Sequence, residues 1–233
     1  MRRRFFPLPV LASVFLTNAG AAVYHVDSAS GNDAADGLSP TQAWRSLEKA
    51  NAVVLKPGDK LLFKAGGRWS GQFKPRGGGD KAALASIGRY GEGALPRIDG
   101  EGKFTDTVLL KNIPFLEVAD LENTHLGPAP PPWRAGVNLV ADGVGKLERV
   151  YLKRLFVHDV NGDMRKTHEG CGIFFEAKGK ETFFDGLLIE QCRVERADRN
   201  GICQRGTGKA RSLRVIIRGN TLEDIGGDGI KLW

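Results

Sequence analysis

The chain has 233 residues, with 34 Lys and Arg against 27 Asp and Glu, a formal charge of +7, 31 Gly, 41% hydrophobic residues and 3 Cys. This lies far from the disordered regime, and three cysteines with no Cys/His cluster at zinc spacing exclude a disulfide scaffold and a structural zinc site. At the start, Arg2, Arg3 and Arg4 precede the apolar run Phe5 to Leu16, and Ala19, Gly20, Ala21 and Ala22 follow. The run is too short, and too interrupted by Pro7 and Pro9, to span a membrane. Its layout is that of a secretory signal peptide over residues 1–22, cleaved after Ala21 or Ala22. Without those three arginines the mature chain keeps 31 cations against 27 anions, or +4. The expectation is a secreted or periplasmic, mildly basic monomer, with no nucleic-acid partner and no stable membrane insertion after cleavage.

Residues 23–59 read as an N-terminal strand and a capping helix. Tyr24-His25-Val26-Asp27 alternates like a strand, and Ser28 to Gly37 is a turn-rich loop. A helix is predicted between Pro40 and Val54, with Trp44, Leu47, Ala50 and Val54 on one face and Ser39 or Ser46 as its cap. Pro57-Gly58-Asp59 closes it. From Lys60 to the end, short apolar runs between Gly-rich turns read as all-β.

Internal repetition decides the fold. Apolar or small residues recur at offsets 0, 2, 5, 7 and 10: Val150, Leu152, Leu155, Val157, Val160; then Leu187, Ile189, Cys192, Val194, Ala197; then Val215, Ile217, Asn220, Leu222, Ile225. A weaker copy is Leu116, Val118, Leu121, Asn123, Leu126, and the copies start 34, 37 and 28 residues apart. After each comes a Gly and a β-branched residue, at Gly136-Val137, Gly172-Ile173, Gly201-Ile202 and Gly229-Ile230. Period-2 alternation on both sides of a three-residue step means two strands joined at a corner with their apolar sides turned the same way. The Gly-Ile segment supplies a third strand. Such units bury a core only when stacked, so the predicted fold is a right-handed parallel β-helix over residues 60–233 with three strands per coil. A β-sandwich would need hairpins, and Asn200-Gly201 is the one strong hairpin signal. An inward Asn220 is expected to bond backbone groups.

The stretches Tyr24-His25-Val26-Asp27, Ser30-Gly31-Asn32-Asp33, Pro57-Gly58-Asp59-Lys60, Gly67-Arg68-Trp69-Ser70-Gly71, Ile87-Gly88-Arg89-Tyr90-Gly91 and Pro96-Arg97-Ile98-Asp99-Gly100 resemble the entry segment of secreted β-helix proteins of the pectate-lyase-like superfamily. The resemblance implies a helix that caps the coil stack. It does not choose a chemistry, because lyases, glycoside hydrolases, esterases and binding proteins share the fold.

Two coils expand at one corner, through Gly127 to Ala135 with four prolines and Trp133, and through Asn161 to Cys171 with Asp163, Arg165, Lys166, His168 and Glu169. Both insertions should wall a groove along one sheet, where Trp133 offers a plate for sugar rings. Polygalacturonase-like members carry adjacent aspartates before the corresponding Gly-Ile strand. Here that turn holds Asp228 alone, with Asp198 and Arg199 one coil below. Asp198 and Asp228 are the hydrolase candidates. A lyase would instead use Arg199, Lys231, His168 or Glu169 as base and charge neutraliser. Trp133, Arg165, Lys166 and Arg205 are substrate-binding candidates for an extended, acidic polysaccharide. Calcium is admitted through Asp163, Asp198 or Asp228, with no dense acidic cluster to fix it. The competing reading is a non-catalytic carbohydrate-binding or adhesin-type β-helix. His158 and Asp159 are expected in a stacked polar corner, and Cys171, Cys192 and Cys203 as free thiols. Because the sequence stops in the third strand of a coil, a truncated form is expected, with part of the catalytic set beyond residue 233.

Overall fold

The structure, a computed structural model, describes residues 20–165, 170–206 and 211–232. The segment assigned to the signal peptide lies almost wholly outside the described residues, as do Lys166, His168 and Glu169. Among the described residues most strands wind into three parallel sheets, of seven, six and five strands, and a two-stranded pair, Val54–Leu55 with Arg76–Gly77, stands beside them. The first sheet includes Leu116–Ala119, Lys146–Lys153, Phe183–Glu190 and Ile216–Arg218. The second includes Glu122–His125, Phe156–Val160, Arg193–Ala197 and Thr221–Ile225. The third is Asp106–Lys111, Ala135–Asp142, Cys171–Lys178, Asn200–Gly206 and Ile230–Lys231. From Ala85 onward the chain visits the sheets in that order in each coil, which is the predicted parallel β-helix.

Backbone conformation explains the spacing of the repeat. Asp120, Arg154, Gln191 and Gly219, each four residues after the start of a copy, have φ from 50° to 63°. Asp159, Arg196 and Asp224, nine residues after the start, do the same at 47° to 53°. A left-handed residue breaks the alternation, so the side chains on either side of the step both face inward. Such a conformation costs a non-glycine residue about 1–2 kcal/mol. At one corner the residues involved also pair, with Arg154 gripping Asp120 through two hydrogen bonds of 2.8 Å.

The Gly of each Gly-Ile pair has a packing reason. A methyl group at Gly136 would lie 2.4 Å from Val157 Cγ1, and one at Gly172 would lie 2.3 Å from Val194 Cγ1. These glycines face inward at the corner where the second and third sheets meet. Asn220 behaves as expected: its Oδ1 accepts the Cys192 N–H at 2.8 Å and its Nδ2 donates to Ile189 O at 3.0 Å.

Asn123 differs. It is 1% exposed, pairs in register with Ile98 and Val157, and neither amide atom has a partner among the described residues. A buried amide without hydrogen bonds costs about 1–3 kcal/mol. Asn123→Val is therefore expected to stabilise the fold by about 1 kcal/mol or more, read as a higher urea midpoint at unchanged slope.

The N-terminal segment corrects one expectation. In place of a helix from 40 to 54 there is a 3-10 turn at Pro40–Gln42 and an α-helix at Leu47–Ala52 capped by Ser46, which accepts the Lys49 N–H. Trp44 is extended because it bridges to Val26, and its indole donates to Ala35 O at 3.0 Å. Trp44, Leu47 and Ala50 join the buried core, whereas Val54 starts a short strand and is exposed. The cap thus rests on Trp44, Leu47 and Ala50 without Val54.

Candidate functional site

On the third sheet Gly136 and Val137 both face the core, so the outward residues of that strand are Ala135, Asn138, Val140 and Asp142. Parallel register repeats this pattern in neighbouring coils and builds columns up the outer face. One runs Asp106, Ala135, Cys171, Asn200, and the next runs Leu109, Asn138, Phe174, Cys203, Lys231. A third runs Lys111, Val140, Glu176, Arg205. Over these columns lies an open pocket of about 490 Å³ whose lining includes Asp106, Asn138, Glu176, Lys178, Trp133 and Arg205.

Asp106, Asn138 and Glu176 are each under a tenth exposed and follow a diagonal across three coils. Asn138 Nδ2 donates to Asp106 Oδ1 at 3.0 Å. Burial drives the Asp106 carboxyl up to about 7; the Asn138 bond opposes this, the charge of Glu176 adds to it, and Lys178 opposes it. Glu176 is held by Lys178 Nζ at 2.7 Å, and Lys111 pairs with Asp142 at 2.9 Å.

Trp133 reaches the pocket from the proline-rich insertion, and the Arg205 guanidinium stacks on its ring at 4.2 Å. Buried Arg134 anchors that loop. Its guanidinium donates to Gly102 O at 2.7 Å, Ala129 O at 3.1 Å and Asn161 O at 3.2 Å, and it also bonds Asn161 Oδ1. Asn161 in turn bonds both the N–H and the carbonyl of Gly127, at 2.9 and 2.7 Å. The neighbouring insertion meets the loop through Asp163 N–H to Pro131 O at 3.0 Å, so the two insertions do share an edge.

Of the residues singled out in the sequence, the structure brings Trp133 and Arg205 together at the pocket. Lys231 extends the Cys203 column, 3.9 Å from Asp228 in the same turn. Asp198 accepts the Gly162 N–H at 3.2 Å at the corner beyond the second sheet, and Arg199 follows it there. Asp198, Arg199, Asp228 and Lys231 do not line the pocket. Arg165 is spent on Asp163 within its exposed loop, with Nε to Oδ2 at 2.7 Å. Among the described residues no group of three His, Cys, Asp or Glu side chains could hold a metal ion.

His158 does sit in a polar cluster, bonded to Asp159 at 2.6 Å and Glu122 at 3.1 Å, with Arg196 beside it. His125 is buried between Gly102 N–H and Phe104 O, and burial pulls its imidazole down to about 4. Cys171, Cys192 and Cys203 form no disulfide among the described residues, and all three are buried. Cys171 and Cys203 lie in an outward apolar cluster with Ala135 and Phe174.

Asp106, Asn138 and Glu176 escaped the sequence reading. A signal was present: Thr107 occupies the Gly position of the Gly-β-branched pair, with Val108 after it, so Asp106 stands where Asp228 stands in the last coil. Thr107 hides this by replacing the inward Gly and turning its hydroxyl onto Thr124 O at 2.7 Å.

No family model matches the chain. It is 26% identical to the lacto-N-biosidase of Bifidobacterium longum subsp. longum over an alignment of 305 residues, taking in 93% of this chain and 19% of that protein. A stretch of 49 residues is 39% identical to the alpha-1,3-galactosidase A of Akkermansia muciniphila, 21% of this chain and 8% of that protein. The fold is similar to the crystal structure of the GH136 lacto-N-biosidase from Eubacterium ramulus, with a TM-score of 0.79 at 25% identity over 90% of this chain and 43% of that one. The native form of that enzyme gives 0.78 at 26% identity. The chain thus spans about a fifth of the curated lacto-N-biosidase and under half of the solved one.

Proposed function

We propose that the outer face of the third sheet is the glycan groove of an exported glycoside hydrolase related to the lacto-N-biosidases. The observation that carries this reading is Trp133, presented by an anchored loop over a pocket whose polar groups include two buried carboxyls, a buried amide and the cations Lys111, Lys178 and Arg205. An aromatic plate facing hydrogen-bonding groups is the arrangement that takes a sugar ring by its apolar face and its hydroxyls by their edges. The relatives are glycosidases by name, which favours hydrolysis over the lyase alternative. For the cleavage step Asp198 and Asp228 remain the acid and base proposed from the sequence, with Arg199, Lys231, His168 and Glu169 as the supporting candidates.

The test is titration calorimetry of the full chain with a lacto-N-biose-terminated oligosaccharide, oligogalacturonates and alginate fragments, each against wild type and Trp133→Ala. At least one sugar should bind, and the variant should weaken it about tenfold, as loss of a stacking contact does. Failure of every sugar to bind, or equal affinity in the variant, would overturn the reading.

A further inference from the structure

We infer that Arg205 is a specificity-determining residue of the third-sheet groove, where its guanidinium, held over the Trp133 ring, pairs with the carboxylate of a uronate sugar. The inference rests on the groove reading and names the class of sugar that the groove takes.

The placement of Arg205 carries it. In register Arg205 stands beside Glu176, on the next strand of the same column. Opposite charges so placed attract, yet Glu176 is held by Lys178 Nζ at 2.7 Å, from its own strand. Arg205 instead reaches over the Cys171–Lys178 strand toward Trp133, whose loop leads into Ala135–Asp142 two coils away, and lies 4.2 Å from the ring centroid. The contact therefore spans the pocket and presents the cation inside it.

The other acidic groups around the pocket are already engaged. Asp142 holds Lys111 at 2.9 Å, and Asp106 accepts the Asn138 amide at 3.0 Å. Burial lifts the Asp106 carboxyl to about 7, so in a mildly acidic medium it adds little negative charge. Of the three cations lining the pocket, Lys111 and Lys178 have carboxylate partners, and Arg205 has none among the described residues. A guanidinium offers a fork of N–H donors that matches a carboxylate through two parallel bonds. Arg205 is also partly buried against the indole, so it has less water to lose on pairing than a fully hydrated cation. A carboxylate on a ring that meets Trp133 falls within reach of this group, whereas a neutral substituent there leaves the charge without a counterpart.

The experiment is titration calorimetry of the full chain at about pH 6, where a uronate is ionised. The ligands are oligogalacturonate, alginate fragments, the methyl esters of both, and the lacto-N-biose-terminated oligosaccharide, each against wild type, Arg205→Gln and Trp133→Ala. An acid and its ester share ring and linkage and differ in charge. Wild type should bind at least one acid about tenfold more tightly than its ester, and Arg205→Gln should weaken that acid about tenfold and the ester less than about threefold. Three results overturn the role of Arg205 and leave the groove standing: Trp133-dependent binding in which the esters match their acids, binding of the lacto-N-biose-terminated oligosaccharide with no acid bound, or equal weakening of acid and ester in Arg205→Gln. Absence of Trp133-dependent binding of any sugar overturns both readings.

Discussion

Replacing Asp106 by Asn should raise stability at pH 8 by about 4 kcal/mol and leave it nearly unchanged at pH 4. In the unfolded chain the carboxyl has its ordinary value near 4; in the fold, burial holds it at about 7. Between those values the folded chain keeps a proton that the unfolded chain releases. Unfolding then liberates a proton, so the wild-type fold loses stability as pH rises from about 4 to about 7 and levels off above that. Asn has the same shape, can still accept the Asn138 bond and carries no charge to desolvate. For a chain of this size the difference corresponds to a melting temperature higher by on the order of 10 °C at pH 8. Thermal unfolding of both proteins from pH 4 to pH 8 checks it: the curves should coincide at the acid end and diverge upward. Parallel curves would mean that Asp106 ionises as easily in the fold as out of it. A polar residue kept at such a cost to stability is what a binding site requires, since its side chain must be buried and still turned toward a ligand.

Arg134→Met should destabilise the chain by roughly 3 kcal/mol, and it should also weaken glycan binding about as much as Trp133→Ala. The Arg134 guanidinium serves the carbonyls of Gly102, Ala129 and Asn161 together with the Asn161 side chain. Met fills the space of the stem but donates nothing to the Gly102, Ala129 and Asn161 carbonyls. Lys at this position would retain the charge, yet a single ammonium cannot match the fork that reaches both sides of the loop. Trp133 is the next residue and has φ 62°, a conformation that a bulky side chain keeps only when its surroundings enforce it. Loss of the anchor should therefore release the plate. Chemical denaturation gives the stability change and calorimetry gives the affinity. A variant that loses stability and retains wild-type affinity would show that the loop holds Trp133 without Arg134.

The coil architecture was legible because the requirement that creates it acts on every copy: five inward positions separated by left-handed steps at Arg154 and Asp159, Gln191 and Arg196, Gly219 and Asp224. At every one of those steps except Gly219 the residue is not glycine, which is why no turn motif marked them. The groove was half legible. Trp133 stood out as an aromatic in a proline-rich insertion, and Arg205 as a cation on the following Gly-Ile strand. Asp106, Asn138 and Glu176 are ordinary residues at outward strand positions, and they meet only because successive coils bring their columns side by side. The extra inward residue after Gly136 also shifts the outward face by one position, which simple alternation along the strand does not anticipate. At the N-terminus the pattern suggested a longer helix because Trp44 and Val54 fit a helical face. The bridge from Trp44 to Val26 makes that end of the segment extended instead.

Hydroxyl-radical footprinting of the full chain with and without the oligosaccharide that binds it, read residue by residue, locates the glycan on the coil stack. Trp133 on the third-sheet groove should become protected, while Tyr151 on the first sheet and Phe156 on the second should oxidise as before. Protection of Phe156 or Tyr151 with Trp133 unchanged would place the glycan on another face and overturn the third-sheet groove.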